Sequence, residues 1–511
     1  MKRTGEYLVE NVRKVEELMD KALQKHSNGL FEEAILLYDL VLIEEPGQEI
    51  ALYNKASLLM EKNAFSESAS LYRQLLGKVL DPEKRSQVLC SYGRACFASD
   101  QGEEAKRACA EMLAMGFASV HELLVLGALG YEHGMVEQAE ACYERVCALD
   151  SDNFAGYYNL GLIRYEQNRY EDAVALYQKA ALINELDPDL LFNLGLAWAA
   201  KGEQAEALLC YHDLLKHSEG DVEIFVLMAD CYRKLHQLEE AISCYRSALG
   251  NSPLHGPAWA GLGVIFNLQD RRDEAIQAFT NAKESGYDPE GCTYMLAALT
   301  GNTLEKPPEN YVEQLFDNFA DNFEEKLTKQ LGYNVPQLIR EELEPLLPPR
   351  VKHLLDLGCG TGLIAEVFAD RVDQIQGIDL SAGMLVKAKE KKLYSALYKG
   401  DIVEYLDNCS ESFDLIVASD VLNYLGELES FFRSVAPVLD EGGRVAFTVE
   451  SGEVPKGNYV LQPNGRYIHH PDYIKNMGKE VGLEVELCRS VKLRMEKGSW
   501  VMAHLFVFTT K

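Results

Sequence analysis

Three glycines stand at every second position in Asp356-Leu357-Gly358-Cys359-Gly360-Thr361-Gly362. A mainly apolar run, Val351 to Leu357, leads into them, and a helix-like segment, Leu363 to Asp370, follows. A second apolar run, Val372 to Ile378, stops on Asp379. Strand, glycine turn, helix, and a strand ending in an acid describe a nucleotide-type ligand over the carboxyl edge of a parallel sheet. Glycine lets a ligand touch the backbone where a Cβ would block it. The helix that follows offers free N–H groups and the positive end of its dipole. An acid at 379 can accept both hydroxyls of a ribose diol. The third glycine comes one position early for the dinucleotide fingerprint, and Asp356 would repel a pyrophosphate. That acid suits a ligand with a cationic amino group.

At these positions the chain resembles the class I S-adenosylmethionine-dependent methyltransferases, whose first motif reads Asp/Glu-x-Gly-x-Gly-x-Gly. The resemblance implies S-adenosylmethionine as cofactor. Asp356, Gly358, Cys359, Gly360 and Gly362 would form the turn around it, Asp379 would meet the ribose, and Leu380 would also contact the cofactor. In that family an acid at the end of the third strand meets the adenine amino group, and the next residue packs on the ring. Asp401 and Ile402, after Tyr398-Lys399-Gly400, fit those roles. Phe413 to Asp420 reads as a fourth strand, near-continuously apolar as buried parallel strands are. Gly442 to Glu450 reads as a fifth, and Leu483–Val491 and Val501–Thr509 as a sixth and seventh. The resemblance covers 311–511.

Methyl transfer is an in-line displacement, so alignment and exclusion of water matter more than acid or base groups. A hydroxyl acceptor gains from a base; a carboxylate or thiolate does not. Asp420, Asn423 and Tyr424, after the fourth strand, and Tyr467, His469 and His470, after the fifth, are the candidates to face an acceptor. Asp420 also suits a helix cap or the methionine end of the cofactor. The histidine pair also suits solvent, or a cap on the helix at Pro471. With no Cys-x-x-Cys and no paired His spacing, no metal site is expected. Before the first strand, positions 312, 315, 316, 319 and 323 lie on one helical face. They suit a helix packed on the sheet. The order Phe316-Asp317-x-x-Ala320-x-x-Phe323 also resembles the lid helix of small-molecule methyltransferases. Leu331 to Pro336 would be a second lid element, bringing Tyr333 to the cofactor; the lid spans 311–345.

The elements that carry this site follow a repeat. Ala105, Ala139, Ala173, Ala207, Ala241 and Ala275 are each 34 residues apart, and Ala34 and Ser68 keep the spacing. Ser68 to Ala105 is three residues longer, which puts an insertion in the connection near Leu80 to Gln87. Small residues recur twelve positions earlier, at Ala22, Ala56, Gly93, Gly127, Gly161, Gly195, Ala229 and Gly263. An aromatic recurs four positions after the alanine, from Tyr38 to Phe279, with Cys109 the exception. Small residues would let the two helices of a unit approach, and the ring would fill the gap toward the next unit. This resembles the tetratricopeptide repeat, in eight copies over 15–289 after a helical lead at 1–14. The family implies a superhelix with a concave groove. Tyr157, Asn159, Asn193 and Tyr232 fall on the first helices, where groove residues lie, though such positions also serve packing. No Lys/Arg run crosses them to clamp a carboxylate terminus. Residues 290–310 read as a solvating cap helix, Gly291 to Leu299, and a linker.

At 511 residues, 47% hydrophobic and 25% charged, the chain should hold two or three globular parts. A formal net charge of -30 argues against a nucleic-acid partner. Twelve scattered cysteines read as buried thiols of a reducing cytoplasm. No apolar run reaches membrane-spanning length. The start, from Met1 to Glu6, leads into an acidic amphipathic segment and not a signal sequence. The fold expected is an α plus α/β chain: a tetratricopeptide superhelix followed by a seven-stranded Rossmann-like domain. The ordered combination resembles bacterial tetratricopeptide methyltransferases. It implies methylation of a small molecule or carrier-tethered group, with the repeats recruiting a protein or carrier protein. Two other readings stay open: methylation of a protein docked in the groove, and a non-catalytic adaptor that binds the cofactor.

Overall fold

A computed structural model describes residues 2–510 apart from 185–186, 219, 318–322 and 497. Phe319 and Ala320 of the expected lid pattern, and Met1, lie outside the described residues. The chain divides into two compact units, Met1–Gln237 and Leu238–Lys511.

In the first unit, helices run from Lys2–Ser27 to Val222–Lys234. The repeated small residue and the repeated ring explain each other. A Cβ on Gly161 would stand 2.6 Å from the ring of Tyr177, and one on Gly195 2.5 Å from Tyr211. Gly127 faces Tyr143 in the same way, at 2.9 Å. Each ring therefore lies over the glycine of its own helix pair, where the expectation placed it toward the next pair. Where Cys109 replaces the ring, Gly93 instead meets Leu126 at 3.0 Å. The turn inside each pair repeats too. Gly29, Asn63, Asp100, Gly134, Asn168, Gly202, His236 and Asp270 all have positive φ, from 58° to 94°. Glycine, Asn and Asp tolerate this left-handed turn, which ends one helix and aims the next.

The insertion is not a longer connection. Pro82–Ala98 is a 17-residue helix, against 13 for Glu49–Glu61 and Val120–Glu132, so the extra residues form a further helical turn. Asp81 caps it by accepting from Lys84 N at 2.9 Å. Asn193 Nδ2 donates to Tyr158 Oη at 2.7 Å, and Tyr232 Oη lies 3.1 Å from His212 Nε2, so both candidate groove residues also pack within the repeats.

The second unit opens with the helices Leu238–Asn251, Gly256–Leu268, Arg272–Glu284 and Pro289–Thr300. Its sheet has nine strands: β1 (Val351–Leu357), β2 (Val372–Asp379), β3 (Ala396–Lys399), β4 (Phe413–Ala418), β5 (Leu439–Glu450), β6 (Tyr459–Leu461), β7 (Tyr467–His469), β8 (Glu484–Glu496) and β9 (Ser499–Thr509). The order β3-β2-β1-β4-β5 is parallel. β9 pairs antiparallel with β5 and with β8, completing the seven expected strands. The other two strands were not expected: β7 joins the end of β5 through Glu450 and Ile468, and β6 pairs with β7. Each central strand is buried on both faces. Leu355, Leu357, Ile416, Phe447, Phe506 and Phe508 face one core, and Leu354, Leu415, Val417, Ala446 and Leu505 the other. Rings of Phe432, Phe506 and Phe508 surround Phe447 at 5.7–5.9 Å, in stacked and edge-on contacts worth about 0.5–1.5 kcal/mol each beyond burial.

The helix Pro289–Thr300 is not a solvating cap. Tyr294, Met295, Ala297, Ala298 and Leu299 are buried, because the helix packs on Arg272–Glu284 and Tyr294 also reaches the β6–β7 turn. No helix among the described residues is long and apolar enough to cross a membrane.

Candidate active site

β1 delivers Asp356 and the glycine turn to the carboxyl edge of the sheet. All three turn glycines are left-handed, with φ of 63°, 53° and 93°. Their surroundings differ. A Cβ on Gly358 would stand 2.5 Å from Val421, and one on Gly362 3.1 Å from Tyr394. Among the described residues, one on Gly360 would meet nothing nearer than Phe323, at 4.0 Å. The first and third glycines pack against protein, and the second faces open space.

Asp379 braces this turn. Its Oδ2 accepts from Gly360 N and its Oδ1 from Ser381 N, both at 2.8 Å. Each oxygen keeps a further lone pair, enough for a diol. Burial raises its pKa, against the pull of these backbone donors. Asp356 is 1% exposed and accepts from Tyr394 Oη at 2.7 Å. Burial pushes its pKa up to about 7, although Tyr394 stabilises the ionised form. Among the described residues no cation pairs with it, and an ammonium group would supply one. Asp401 Oδ1 caps the helix Ile402–Asn408, accepting from Val403 N and Glu404 N at 2.8 and 3.0 Å. Tyr333 Oη lies 2.7 Å from Ser419 Oγ. Burial raises the Cys359 thiol well above its ordinary value.

A cavity of about 480 Å³ joins these groups. Asp356, Gly358, Cys359, Gly360, Asp379, Leu380, Asp401, Ile402 and Tyr333 line it. Gly362 does not; it supports the turn through its packing. The cradle over Gly360, the buried acid and the braced diol acceptor therefore fit S-adenosylmethionine by their own chemistry.

The lid segment closes this end. Phe316, Phe323, Leu327 and Leu331 line the cavity. Asp317 Oδ1 accepts from Ser381 Oγ at 2.5 Å and Gly383 N at 3.1 Å. Glu324 accepts from Thr361 Oγ1 at 3.1 Å and pairs with Lys391 at 2.9 Å. The lid thus bonds directly to the glycine turn and to the loop after β2.

The other end is built from charges. Arg494, 3% exposed, donates through Nη1 to Asp420 at 2.6 Å, through Nε to Glu496 at 2.6 Å, and through Nη2 to Glu450. Arg466 Nη2 donates to both oxygens of Glu496, at 2.6 and 2.9 Å, and its Nε lies 2.9 Å from Glu450. Burial opposes ionisation of Glu496, but Arg466 and Arg494 outweigh it and hold its carboxyl below the usual range. For Glu450 burial wins, and its pKa is raised. Asp420, Tyr424, Arg466, Arg494 and Glu496 line the cavity. Asp420 adopts a left-handed φ of 62°, with its N–H on Thr448 Oγ1 at 2.9 Å. Such strain persists where the surroundings fix it. Burial pushes the Tyr424 phenol up to about 12, so it donates and does not act as a base near neutrality. Its ring stands edge-on to Phe316 at 5.3 Å.

Two of the candidates stand outside the cavity lining. Asn423 is 1% exposed and absent from the cavity lining; its Nδ2 donates to Asp420 Oδ1 at 2.7 Å, so it orients that acid. His469 faces inward from β7, also outside the lining, with Nε2 3.0 Å from Gly426 O. Burial pushes its pKa down to about 4, so it stays neutral and structural. His470 caps the helix Pro471–Glu480, as one of its two readings had it. Tyr467 is buried in β7. The sequence reading missed Tyr394, Glu450, Arg466, Arg494 and Glu496. An acid ending β5, like those ending β1 and β2, was an available signal for Glu450. Arg494 and Glu496 share a face of β8 at a spacing of two.

Among the described residues, no three His, Cys, Asp or Glu side chains group as metal ligands.

Together the folds and this cavity define tetratricopeptide repeats joined to a class I S-adenosylmethionine-dependent methyltransferase domain. Residues 355–447 match the methyltransferase-domain family, and 51–86, 127–167, 161–202 and 226–289 match tetratricopeptide repeat families. A ubiquinone biosynthesis O-methyltransferase of Coxiella burnetii (strain Dugway 5J108-111) is 27% identical over 109 residues, 21% of this chain and 47% of that protein. The protein of that name from Nitrobacter winogradskyi is 38% identical over 96 residues, 18% of this chain and 36% of it. The chain thus spans less than half the length of these relatives. Magnesium protoporphyrin IX methyltransferase from Synechocystis is 14% identical with a TM-score of 0.32, over 40% of this chain and all of that one.

Proposed function

We propose that this chain transfers a methyl group from S-adenosylmethionine to a small-molecule acceptor, and that its repeats, over 15–289, bring a protein or carrier partner to the catalytic part at 311–511. The observation that carries the reading is one cavity with the glycine turn at one end and the Asp420–Arg494–Glu496 group at the other. The relatives' names support a hydroxyl as the acceptor atom.

S-adenosylmethionine, when bound, supplies an electrophilic methyl group and its own leaving group. Asp356 would hold the ammonium, Asp379 the diol, and Asp401 with Ile402 the adenine. Phe316, Phe323, Leu327 and Leu331 exclude water. Asp420 and Glu496 can accept the hydrogen bond of an acceptor hydroxyl. Arg466 and Arg494 hold the Glu496 carboxyl below its usual range, which makes it a weak base. The chain therefore relies on alignment more than on proton abstraction.

The test is methyl-labelled cofactor in a host lysate, separated into protein and small-molecule fractions. Label in small molecules is expected, and label confined to protein would overturn the reading. S-adenosylmethionine should also raise the melting temperature; no shift would remove the cofactor from the proposal.

A further inference from the structure

Both walls of the acceptor end are held from outside the methyltransferase fold. The β6–β7 turn carries Asn464 and Arg466 into the cavity. On its far side, Tyr294 Oη of the helix Pro289–Thr300 donates to Gly465 O at 2.9 Å. Asn267 Nδ2 of the last repeat donates to Pro463 O at 2.9 Å. Gly465 has a φ of 78°, and a Cβ there would stand 3.0 Å from Tyr311 Oη and 3.6 Å from the Tyr294 ring. The opposite wall, Val421 to Leu425, continues into Gly426 and Glu427. Both of their N–H groups donate to Glu305 O in the linker, at 3.0 and 3.1 Å. Among the described residues, no such contact reaches the cofactor end: its supports come from β2, the segment 381–394, the lid and the end of β4.

We propose that the last repeat and the helix after it are part of the acceptor site, with Tyr294 and Asn267 acting as positioning residues that fix Arg466 and Asn464 against the acceptor. The proposal rests on the reading of that end of the cavity as the acceptor end. Tyr294 is buried, so its loss leaves the Gly465 carbonyl without a donor and loosens the turn. Arg466 then loses its fixed approach to Glu496, and acceptor affinity falls while cofactor affinity does not. The repeats in this view set how well the acceptor binds, in addition to what they recruit.

The test uses the full chain loaded with S-adenosylhomocysteine, as wild type, Tyr294→Phe and the milder Asn267→Ala. Amide hydrogen exchange is read at 462–468, with 358–362 as internal reference. Tyr294→Phe should speed exchange at 462–468 about tenfold, the scale of one buried hydrogen bond, and Asn267→Ala by less. Exchange at 358–362 and the S-adenosylhomocysteine Kd should stay within about twofold of wild type. With 4-nitrocatechol as acceptor probe, KM should rise by a similar factor at constant kcat. Unchanged exchange at 462–468, an equal change at 358–362, or an unchanged KM each overturns the proposal. If exchange responds but wild type does not methylate 4-nitrocatechol, the hydroxyl-acceptor reading falls and the anchoring of the turn stands.

Discussion

The cofactor end draws Asp356, Gly358, Gly360, Gly362 and Asp379 from 24 consecutive residues. The proposed acceptor end gathers Asp420, Glu450, Arg466, Arg494 and Glu496 from positions scattered over 77. The first is shaped by backbone: left-handed glycines and N–H groups on Asp379. The second is shaped by side chains bound to one another. A backbone site tolerates few residue types, because any Cβ or change of φ is felt directly. A side-chain site can be rebuilt residue by residue, which is how one fold serves many acceptors.

Four experiments bear on that contrast, from the largest expected effect to the smallest. Gly360→Arg should abolish binding at the cofactor end, because the new side chain would fill the open space above the turn. The melting-temperature rise with S-adenosylmethionine should vanish. A surviving rise would mean that the ligand does not lie over Gly360. Arg494→Leu should cost about 3–5 kcal/mol of stability, since it leaves Asp420 without its guanidinium partner and the buried Glu450, with Glu496, on Arg466 alone. Denaturant unfolding reads this, and a cost under 1 kcal/mol would show that the cluster is open to solvent.

Asp356→Asn tests the buried acid by pH. With a pKa of about 7, wild-type Asp356 ionises only as pH rises toward neutrality. Affinity for the cationic ligand should climb between pH 5 and 7, by up to about tenfold per unit, and level above. Calorimetric titration of Asp356→Asn should give a flat profile. Stability of the ligand-free chain runs the other way. The folded pKa lies above the unfolded value of about 3.9, so the folded state holds the proton more tightly, and stability falls as pH rises through 7. Gly195→Ala is the control, far from either end in sequence. A Cβ 2.5 Å from the Tyr211 ring should cost about 1–3 kcal/mol by overpacking. Cofactor affinity should be unchanged; a change would show that the repeats govern the cofactor end as well.

The same contrast decided what could be read from the chain. Local signals carried far: the 34-residue period, the alternation of the strands and the turn at Gly358 each lie within one element. The left-handed turn residues from Gly29 to Asp270 were equally periodic and equally legible. What failed was any feature fixed by partners distant in sequence. His469 reads as a base beside His470, but its place in β7 buries it against Gly426. Helix 289–300 does pack on Arg272–Glu284 as a cap would, but it reads as solvating because its further contact, the β6–β7 turn, begins about 160 residues later. The insertion near Leu80 was visible, but its helical form depended on Asp81 and Pro82 starting the helix early.

The lid is fastened at the cofactor end. Asp317 holds Ser381 and Gly383, and Glu324 holds Thr361 and Lys391. We expect a spent cofactor to leave past these bonds, which must then open, and a methylated acceptor to leave from the other end of the cavity. Turnover should then be paced by departure of the demethylated cofactor. Rapid mixing would reveal a burst of product equal to the enzyme present, followed by a slower steady rate. Ser381→Ala, which removes one fastening, should quicken the slow phase and leave the burst rate alone; a reaction with no burst would place the slow step at the chemistry instead.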